Sequence, residues 1–213
     1  MNEVIYRELK IEDYQTVKKL IGDAFGLNNI FKKELQNDTL SDVVLGTYLQ
    51  HCLEDSTFSK VAVKDDKVIG VILGEAFGEK KLYDCNIEDL FIYHDKLDSL
   101  KSDERLIKVE NEFIRIANTY DEFINGMEKE FDGCIHLFIV DKDSRGLGVG
   151  KALVKYLSHY MISHRVKSLY LFTDNRCNYG FYDNQGFKRV KEKSLFMEGL
   201  NDYLDIFLYR YDF

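Results

Sequence analysis

The stretch VDKDSRGLGVGK, residues 140–151, places three glycines between an apolar segment and an amphipathic one. In the preceding CIHLFIV, residues 134–140, side chains alternate with the period of two that is typical of a strand with two different faces. After the glycines, apolar residues recur at helical spacing. This stripe consists of Val149, Leu153, Val154, Leu157 and Tyr160. The sequence therefore predicts a strand, a glycine-rich turn and a helix in succession.

This arrangement predicts a binding site for phosphate oxygens. The first turn of a helix has backbone N–H groups without intrahelical partners, and together with the helix dipole they attract an anion. Gly146, Gly148 and Gly150 would let a ligand approach the backbone closely. A flexible turn that binds nothing is the alternative that the glycines alone leave open.

The spacing of the glycines separates several kinds of phosphate loop. A P-loop requires GxxxxGK[ST], but Lys151 is followed by Ala152, and no glycine lies five residues before Gly150. The dinucleotide fingerprint is GxGxxG in an early βαβ unit, whereas this loop has GxGxG and lies two-thirds along the chain. The pattern therefore disfavours a nicotinamide or flavin site.

Residues 145–150 resemble the [QR]xxGx[GA] loop of the GNAT superfamily of N-acetyltransferases. Downstream, SLYLFT at 168–173 reads as a buried strand, and NRCNYGFYDNQGF at 175–187 is similar to the family's Nxx(A)xxFYxxxGF element. Asn178 is a departure, because the family often has alanine or serine there. The resemblance is most specific over residues 132–192, and it implies that acetyl-CoA is the donor substrate.

The resemblance also implies a role for each matched residue. The pyrophosphate would bind backbone N–H groups of the loop, and the pantetheine arm would follow the fourth strand where it separates from the fifth. A backbone N–H near Ile139 or Val140 would stabilise the oxyanion, while Asn175 and Asn178 would bind pantetheine or cap the short helix. The predicted donor-binding residues are Phe138, Ile139, Val140, Arg145, Gly146, Leu147, Gly148, Val149, Gly150, Lys151, Asn175, Asn178 and Phe181.

Two residues are candidates for proton transfer. Tyr182 occupies the tyrosine position of the FY pair, a general acid in many relatives, and a phenol with a pKa of about 10 is protonated at neutral pH. His136 lies on the fourth strand, and histidine is a suitable base for an ammonium acceptor. Packing against the donor is the alternative for Tyr182, and a hydrogen-bonded core histidine is the alternative for His136. Glu75, Glu79 and Glu128 are weaker candidates for the base or for acceptor binding.

The whole pattern predicts an α/β (α+β) fold of the GNAT type. We expect a mixed, mostly antiparallel twisted sheet of about seven strands flanked by helices, with residues 1–213 forming a single domain. The predicted elements are a strand at 4–9, helices at 12–25 and 38–53, a hairpin at 60–76, and late strands at 190–193 and 204–211, with 194–203 connecting the last two.

Residues 79–130 predict a helical insertion between the third and fourth strands, where the family usually has a short connection. Apolar residues recur every three or four positions at Leu106, Val109, Phe113, Ile116 and Tyr120. Such a stripe is typical of helix packing in a core. The other interpretation is that the insertion covers the acceptor pocket and sets specificity.

Composition restricts the remaining possibilities. The formal net charge of −8, without a long basic cluster, argues against a nucleic-acid partner, and no apolar run reaches the length of a membrane span. Cys52, Cys85, Cys134 and Cys177 are scattered, which suggests free thiols rather than a zinc cluster or a disulfide framework. We therefore expect a soluble cytoplasmic protein that uses no metal, and a homodimer is left open.

The main prediction is an enzyme that transfers the acetyl group of acetyl-CoA to a primary amine of a small molecule, by direct attack of the amine on the thioester. A protein or peptide N-acetyltransferase is one alternative. A non-catalytic acyl-CoA-binding module of the same fold is another, although the tyrosine of the FY pair favours the enzyme.

Overall fold

The computed structural model describes residues 3–26, 37–82, 102–198 and 201–213. The strands are β1 Ile5–Arg7, β2 Phe58–Lys64, β3 Lys67–Ala76, β4 Gly133–Val140, β5 Ser168–Asp174, β6 Lys188–Met197 and β7 Asp202–Asp212. The α-helices of the described residues are α1 Tyr14–Ala24, α2 Asp38–Glu54, α3 Glu104–Ile124, α4 Val149–Ser163 and α5 Gly180–Asn184.

The seven strands form one sheet in the order β1-β2-β3-β4-β5-β7-β6. Every neighbouring pair is antiparallel except β4 and β5, which are parallel. Asp65 and Asp66 join β2 to β3 with φ angles of 50° and 59°. Aspartate tolerates this left-handed conformation, which tight two-residue hairpins require. The predicted mixed, mostly antiparallel sheet is confirmed.

The two C-terminal strands are longer than predicted. β6 continues to Met197 and β7 begins at Asp202, so most of the predicted connector at 194–203 is strand. β6 lies at the edge of the sheet, and its sequence KRVKEKSLFM places many charged side chains on exposed positions. Charged residues are common on edge strands, where they prevent pairing with other chains. Because the charged residues of β6 obscure the alternation of apolar and polar side chains, the sequence predicted only part of this strand.

Helices cover both faces of the sheet. On one face, α1 and α2 pack against Leu73, Leu137 and Ile139 in a buried cluster that also receives Leu106 from α3. On the other face, α4 packs through residues such as Leu153 into a second buried cluster. The apolar stripe predicted for the helix after the glycine loop is therefore the face that α4 buries.

The two central strands diverge. β4 pairs with β5 only from Gly133 to Ile135, after which β4 stays with β3 and β5 stays with β7. At the point of separation, Leu73 pairs with Leu137 and the next residue, Gly74, pairs with Ile135. His136 has no partner on β3 and forms a β-bulge. The sheet consequently opens a gap between β4 and β5, with His136 at its beginning.

Helix α3 lies within the predicted insertion. Asp103 caps it by accepting a hydrogen bond from the backbone N–H of Arg105 at 2.9 Å. The C-terminal half of α3 is fixed to β6, because Lys191 donates to the carbonyl of Phe123 at 2.6 Å. Residues 83–101 of the predicted insertion lie outside the described residues.

The described cysteines Cys52, Cys134 and Cys177 are free thiols, as predicted, and Cys85 lies outside the described residues. In the described part of the chain, no helix combines the length and the apolar character needed to cross a membrane.

Replacing Gly133 with alanine should destabilise the fold. A Cβ atom at this position would lie 2.5 Å from the carbonyl oxygen of Glu75 on the paired strand. Because both groups belong to the sheet, we expect the free energy of unfolding to fall by about 1–3 kcal/mol. Chemical denaturation would measure this, with Gly180→Ala as the control, since nothing lies within 4 Å of a Cβ there. Equal stabilities of the two variants would contradict the expectation.

Candidate active site

A cavity of about 400 Å³ occupies the gap where β4 and β5 separate. Its lining comes from both faces of the sheet, including Tyr48 of α2 on one face and Gly150 of α4 on the other. The predicted site residues that the structure brings together here are His136, Phe138, Ile139, Val140, Arg145, Gly146, Gly148, Val149, Gly150, Lys151, Asn178, Phe181 and Tyr182.

The glycine loop forms one end of this cavity. Gly146 and Gly148 have φ angles of 83° and 77°, a conformation that glycine adopts at little cost, and Gly148 is the N-cap of α4. Within the described residues, the backbone N–H groups of 146–151 donate no hydrogen bond. The exposed side chains of Arg145 and Lys151 add positive charge. Consecutive free N–H groups at a helix N-terminus form a concave site for phosphate oxygens.

Gly150 serves a different purpose from the other two glycines. A Cβ atom on Gly150 would lie 3.2 Å from the ring of Phe181 and 3.4 Å from that of Phe138. These two rings lie 5.3 Å apart and line the cavity. The missing side chain therefore lets an aromatic wall pack directly against the first turn of α4.

The exposed edge of β4 presents backbone donors to the gap. The N–H of Asp141 donates to Ile69 on β3 at 2.9 Å. Successive N–H groups of a strand point to opposite sides, so the N–H of Val140 points away from β3. It therefore faces the gap that the separation of β5 leaves open, as does the N–H of Phe138.

Tyr182 is held rigidly with its phenol at the cavity. The side chain is only 8% exposed, and the rings of Phe138, Phe187 and Tyr209 lie 5.6–6.1 Å from its own. Within the described residues its hydroxyl forms no hydrogen bond, and burial raises the pKa of Tyr182. The phenol is therefore protonated at neutral pH and has its proton available to a ligand.

His136 is fixed by an ion-pairing network. Its Nε2 lies 3.0 Å from Oε2 of Glu75, and Lys81 donates to Oε1 of the same carboxylate at 2.5 Å. Burial alone would raise the pKa of Glu75, but hydrogen bonds from His136 and Lys81 outweigh it and lower that pKa. An ionised carboxylate only accepts hydrogen bonds, so Nε2 carries a proton. In a neutral imidazole the lone pair is then on Nδ1, which lies 3.9 Å from the sulfur of Cys134.

Cys134 lies beside Glu75 and His136, and all three are residue types that can bind a metal ion. Its sulfur lies 3.4 Å from Nε2 of His136 and 3.9 Å from Oε2 of Glu75. Within the described part of the chain, these residues form the one such group whose ligand atoms all lie within 4.8 Å of one another. Burial raises the pKa of the Cys134 thiol, which disfavours the thiolate that metals bind. Hydrogen bonds account for the contacts, and the expectation of no metal stays a prediction that metal analysis would test.

The other two carboxylate candidates lie elsewhere. Glu79 pairs with His164 at 3.2 Å, and Glu128 accepts a hydrogen bond from the backbone N–H of Gly126. Neither lines the cavity. Only Glu75, of the three glutamates, contacts His136.

Two predicted donor-binding residues do not line the cavity. Leu147 is 53% exposed at the tip of the loop. Asn175 is bound to β7, because its side chain donates to the carboxylate of Asp205 and accepts from the backbone N–H of the same residue. Helix α5 has no side-chain cap, and its N-cap residue is Tyr179. The expected capping role of Asn175 or Asn178 is therefore absent.

Sequence reasoning missed the second set of lining residues. These come from the end of α1, from α2, α3 and β5, and from the turn after β5: Ala24, Phe25, Tyr48, Tyr120, Phe172, Asp174 and Cys177. Tyr120 belonged to the apolar stripe of the insertion, which was the one available signal. The others lie far apart in the chain, and nothing in their local sequence indicates that the fold gathers them.

Asp174 is the carboxylate among the cavity-lining residues of the described chain. Its Oδ1 accepts hydrogen bonds from the backbone N–H groups of Arg176 and Cys177 at 2.8 and 3.3 Å. Burial raises its pKa, and these hydrogen bonds act in the opposite direction. The side chain thus combines a structural role in the turn with a carboxyl group at the cavity.

A diverging pair of central strands, with a glycine loop at one end of the gap, defines a fold that binds a phosphate-bearing donor inside a split sheet. The profile of the Acetyltransferase (GNAT) family matches residues 26–187. The chain belongs to this family, and it is an acetyl-CoA-dependent N-acetyltransferase by class. A search of curated proteins found no match.

Solved structures share the fold at low sequence identity. An N-acetyltransferase from Staphylococcus aureus Mu50 is 14% identical with a TM-score of 0.54, covering 99% of this chain and 98% of its own. A ribosomal-protein-alanine N-acetyltransferase from Brucella melitensis is 13% identical with a TM-score of 0.53, covering 98% and 99%. An agmatine N-acetyltransferase mutant is 7% identical with a TM-score of 0.55 over the whole of both chains. Relatives with small-molecule and with protein acceptors therefore have this fold.

Proposed function

We propose that this protein transfers the acetyl group of acetyl-CoA to the primary amine of a small molecule. The observation that carries the proposal is the run of unpaired backbone N–H groups at 146–151, which leads directly into the gap between β4 and β5. A pyrophosphate at the loop would place the pantetheine arm between the two strands. The thioester would then lie inside the cavity, between the two proton-transfer candidates.

The donor would be held mainly by backbone groups. The N–H groups of the loop and the start of α4 would bind the pyrophosphate, and those of Phe138 and Val140 would bind the pantetheine amides or the oxyanion. The rings of Phe138 and Phe181 would pack against the arm. Fixing the two reactants in this way removes entropy from the barrier, which can supply much of the rate acceleration.

His136 and Tyr182 would then move the two protons of the reaction. The bound ammonium first releases one proton to solvent. As the neutral amine then attacks the carbonyl carbon of the thioester, Nδ1 of His136 accepts the second proton that the nitrogen loses. The C–S bond breaks, and the phenol of Tyr182 donates its proton to the departing sulfur. Solvent restores both side chains. Glu75 would act through His136, by fixing the tautomer in which Nδ1 has the lone pair.

The setting of the reaction follows from charge and cysteine content. A net charge of −8 disfavours nucleic acid as a partner and is compatible with a cationic acceptor. The free thiols Cys52, Cys134 and Cys177 support a reducing compartment. We therefore place the enzyme in the cytoplasm, with its activity contained in one domain.

Release of free thiol from acetyl-CoA tests the function. We expect release that depends on added amine, measured across a panel of monoamines, polyamines, aminoglycosides, amino acids and peptides. Release only with peptides would support a peptide acetyltransferase. Tight CoA binding without acceptor-dependent thiol from any amine would contradict the proposal and support a binding module instead.

Replacing Glu75 with glutamine should slow the reaction without weakening donor binding. The amide can offer an N–H to His136, which would allow the imidazole to reverse its tautomer and lose Nδ1 as the base. We expect kcat/KM for the amine to fall about tenfold or more, within the range of general-base contributions, while the dissociation constant of CoA changes little.

The matched control is Glu79→Gln, because Glu79 also pairs with a histidine, but its partner His164 does not line the cavity as His136 does. Steady-state kinetics and calorimetric titration of CoA would compare the two variants. If Glu75→Gln retained the wild-type kcat/KM, Glu75 would have no positioning role.

A further inference from the structure

The part of the cavity away from the glycine loop has an aromatic wall, formed by Phe25, Tyr48, Tyr120 and Phe172. Tyr120 of α3 stacks on Phe172 of β5, with ring centroids 4.0 Å apart and planes inclined by 8°. Phe25 and Tyr48 meet edge to face at 5.9 Å. These contacts fix the rings before any ligand binds, so the aromatic wall has a defined shape.

The aromatic wall shares the cavity with Tyr182 and with the carboxyl group of Asp174. Phe172 and Asp174 lie two residues apart on β5, so their side chains are on the same face of the strand, and both line the cavity together with Tyr120 and Tyr182. Among the described lining residues, the lysine and arginine side chains are Arg145 and Lys151, which belong to the glycine loop. The part of the cavity away from the glycine loop therefore offers both aromatic rings and a carboxyl group to the acceptor.

This combination selects a particular kind of amine. An ammonium group is attracted by a carboxylate and by the faces of aromatic rings, and an aromatic ring packs against other rings with centroids about 4.5–7 Å apart. The described lining offers one carboxyl group, which can pair with one ammonium group. The cavity of about 400 Å³ must also contain the pantetheine arm, which leaves room for a small acceptor.

We infer that the acceptor is a small arylalkylamine, in which one aromatic ring is joined through a short alkyl chain to a primary amine. The inference rests on the proposed acetyltransferase function and names the substrate class of the same site. The ring packs on the aromatic wall and the ammonium is drawn toward Asp174. After the ammonium has released one proton to solvent, the neutral amine gives a second proton to His136 as it attacks. Helix α3 contributes Tyr120 to this arrangement, which gives the insertion a role in specificity.

Calorimetric titration of amines into the enzyme saturated with CoA tests the inference without any turnover. The probes are 2-phenylethylamine, spermidine, kanamycin and an alanyl peptide amide. We expect 2-phenylethylamine to bind about tenfold or more tighter than each of the other three, which corresponds to about 1.4 kcal/mol. Tightest binding of spermidine, kanamycin or the peptide would overturn the inference.

Two variants separate the aromatic and the charged contributions. Tyr120→Leu should weaken binding of 2-phenylethylamine about tenfold and leave CoA binding unchanged, whereas Tyr203→Leu, at an exposed ring pair outside the cavity, should change neither. Asp174→Asn should weaken the binding of 2-phenylethylamine and leave the binding of neutral 2-phenylethanol unchanged. This variant provides a second test if Tyr120→Leu does not fold. Unchanged amine affinity in a folded variant of either residue would overturn the inference.

The outcome also distinguishes this inference from the proposed function. Binding of 2-phenylethylamine without thiol release would keep the acceptor class and refute acetyl transfer. Thiol release with another amine, and no binding of 2-phenylethylamine, would keep acetyl transfer and refute the acceptor class.

Discussion

Replacing Gly148 with valine should reduce the affinity for CoA by about a hundredfold, which corresponds to about 2.8 kcal/mol. Gly148 is the N-cap of α4 with a φ of 77°, a conformation that costs a β-branched residue substantially more than glycine. Either the backbone leaves this conformation and the N–H groups of 146–151 no longer converge, or the valine side chain stands where the pyrophosphate oxygens would bind. Both outcomes weaken the contacts between the N–H groups of 146–151 and the pyrophosphate.

The matched control is Gly78→Val. Gly78 has a φ of 83°, lies in the turn after β3 with nothing within 4 Å of a Cβ, and does not line the cavity. It therefore carries the same backbone strain without touching the proposed phosphate site. Calorimetric titration of CoA and thermal unfolding would be measured for both variants. If a folded Gly148→Val protein bound CoA as tightly as Gly78→Val, the phosphate-site assignment would be wrong.

Replacing Tyr182 with phenylalanine should lower kcat about a hundredfold or more, because general acids typically contribute factors of that size. The substitution keeps the ring that packs against Phe138, Phe187 and Tyr209, and it removes only the hydroxyl. We expect the affinity for acetyl-CoA to change no more than about twofold, since phenylalanine preserves the apolar contacts that hold the ring.

Tyr160→Phe is the control for this loss of a hydroxyl, because the ring of Tyr160 packs against that of Phe58 at 4.9 Å and does not line the cavity. Kinetics with a saturating amine would compare the two variants. A pH series adds a second measurement: departure of the thiolate without an acid should become less unfavourable as the pH falls. Wild-type turnover in Tyr182→Phe would assign Tyr182 to packing alone.

The residues that sequence analysis predicted well are those whose local pattern requires a particular backbone. The predicted glycine-rich turn is present, with positive φ angles at Gly146 and Gly148, and α4 begins directly after it. The alternation in CIHLFIV predicted β4, and the FY element predicted α5 and the strand after it. These features depend on neighbours in sequence, so a single chain is sufficient to recognise them.

The features that were missed depend on contacts between distant segments. Asn175 hydrogen-bonds Asp205 on β7 instead of facing the donor, and nothing near Asn175 in the sequence indicates that pairing. The bond between Glu75 and His136 joins β3 to a bulge in β4, which no local pattern predicts. The aromatic wall combines α1, α2, α3 and β5, so it exists only after the sheet has formed and the helices have packed.

The most direct test of the account compares the affinity of the enzyme for CoA with its affinity for pantetheine, which lacks the pyrophosphate and the nucleotide. If the N–H groups of 146–151 bind the pyrophosphate, CoA should bind about a hundredfold or more tighter than pantetheine, and this difference should largely disappear in Gly148→Val. Equal binding of CoA and pantetheine by the wild-type protein, or an undiminished preference for CoA in the variant, would contradict the account.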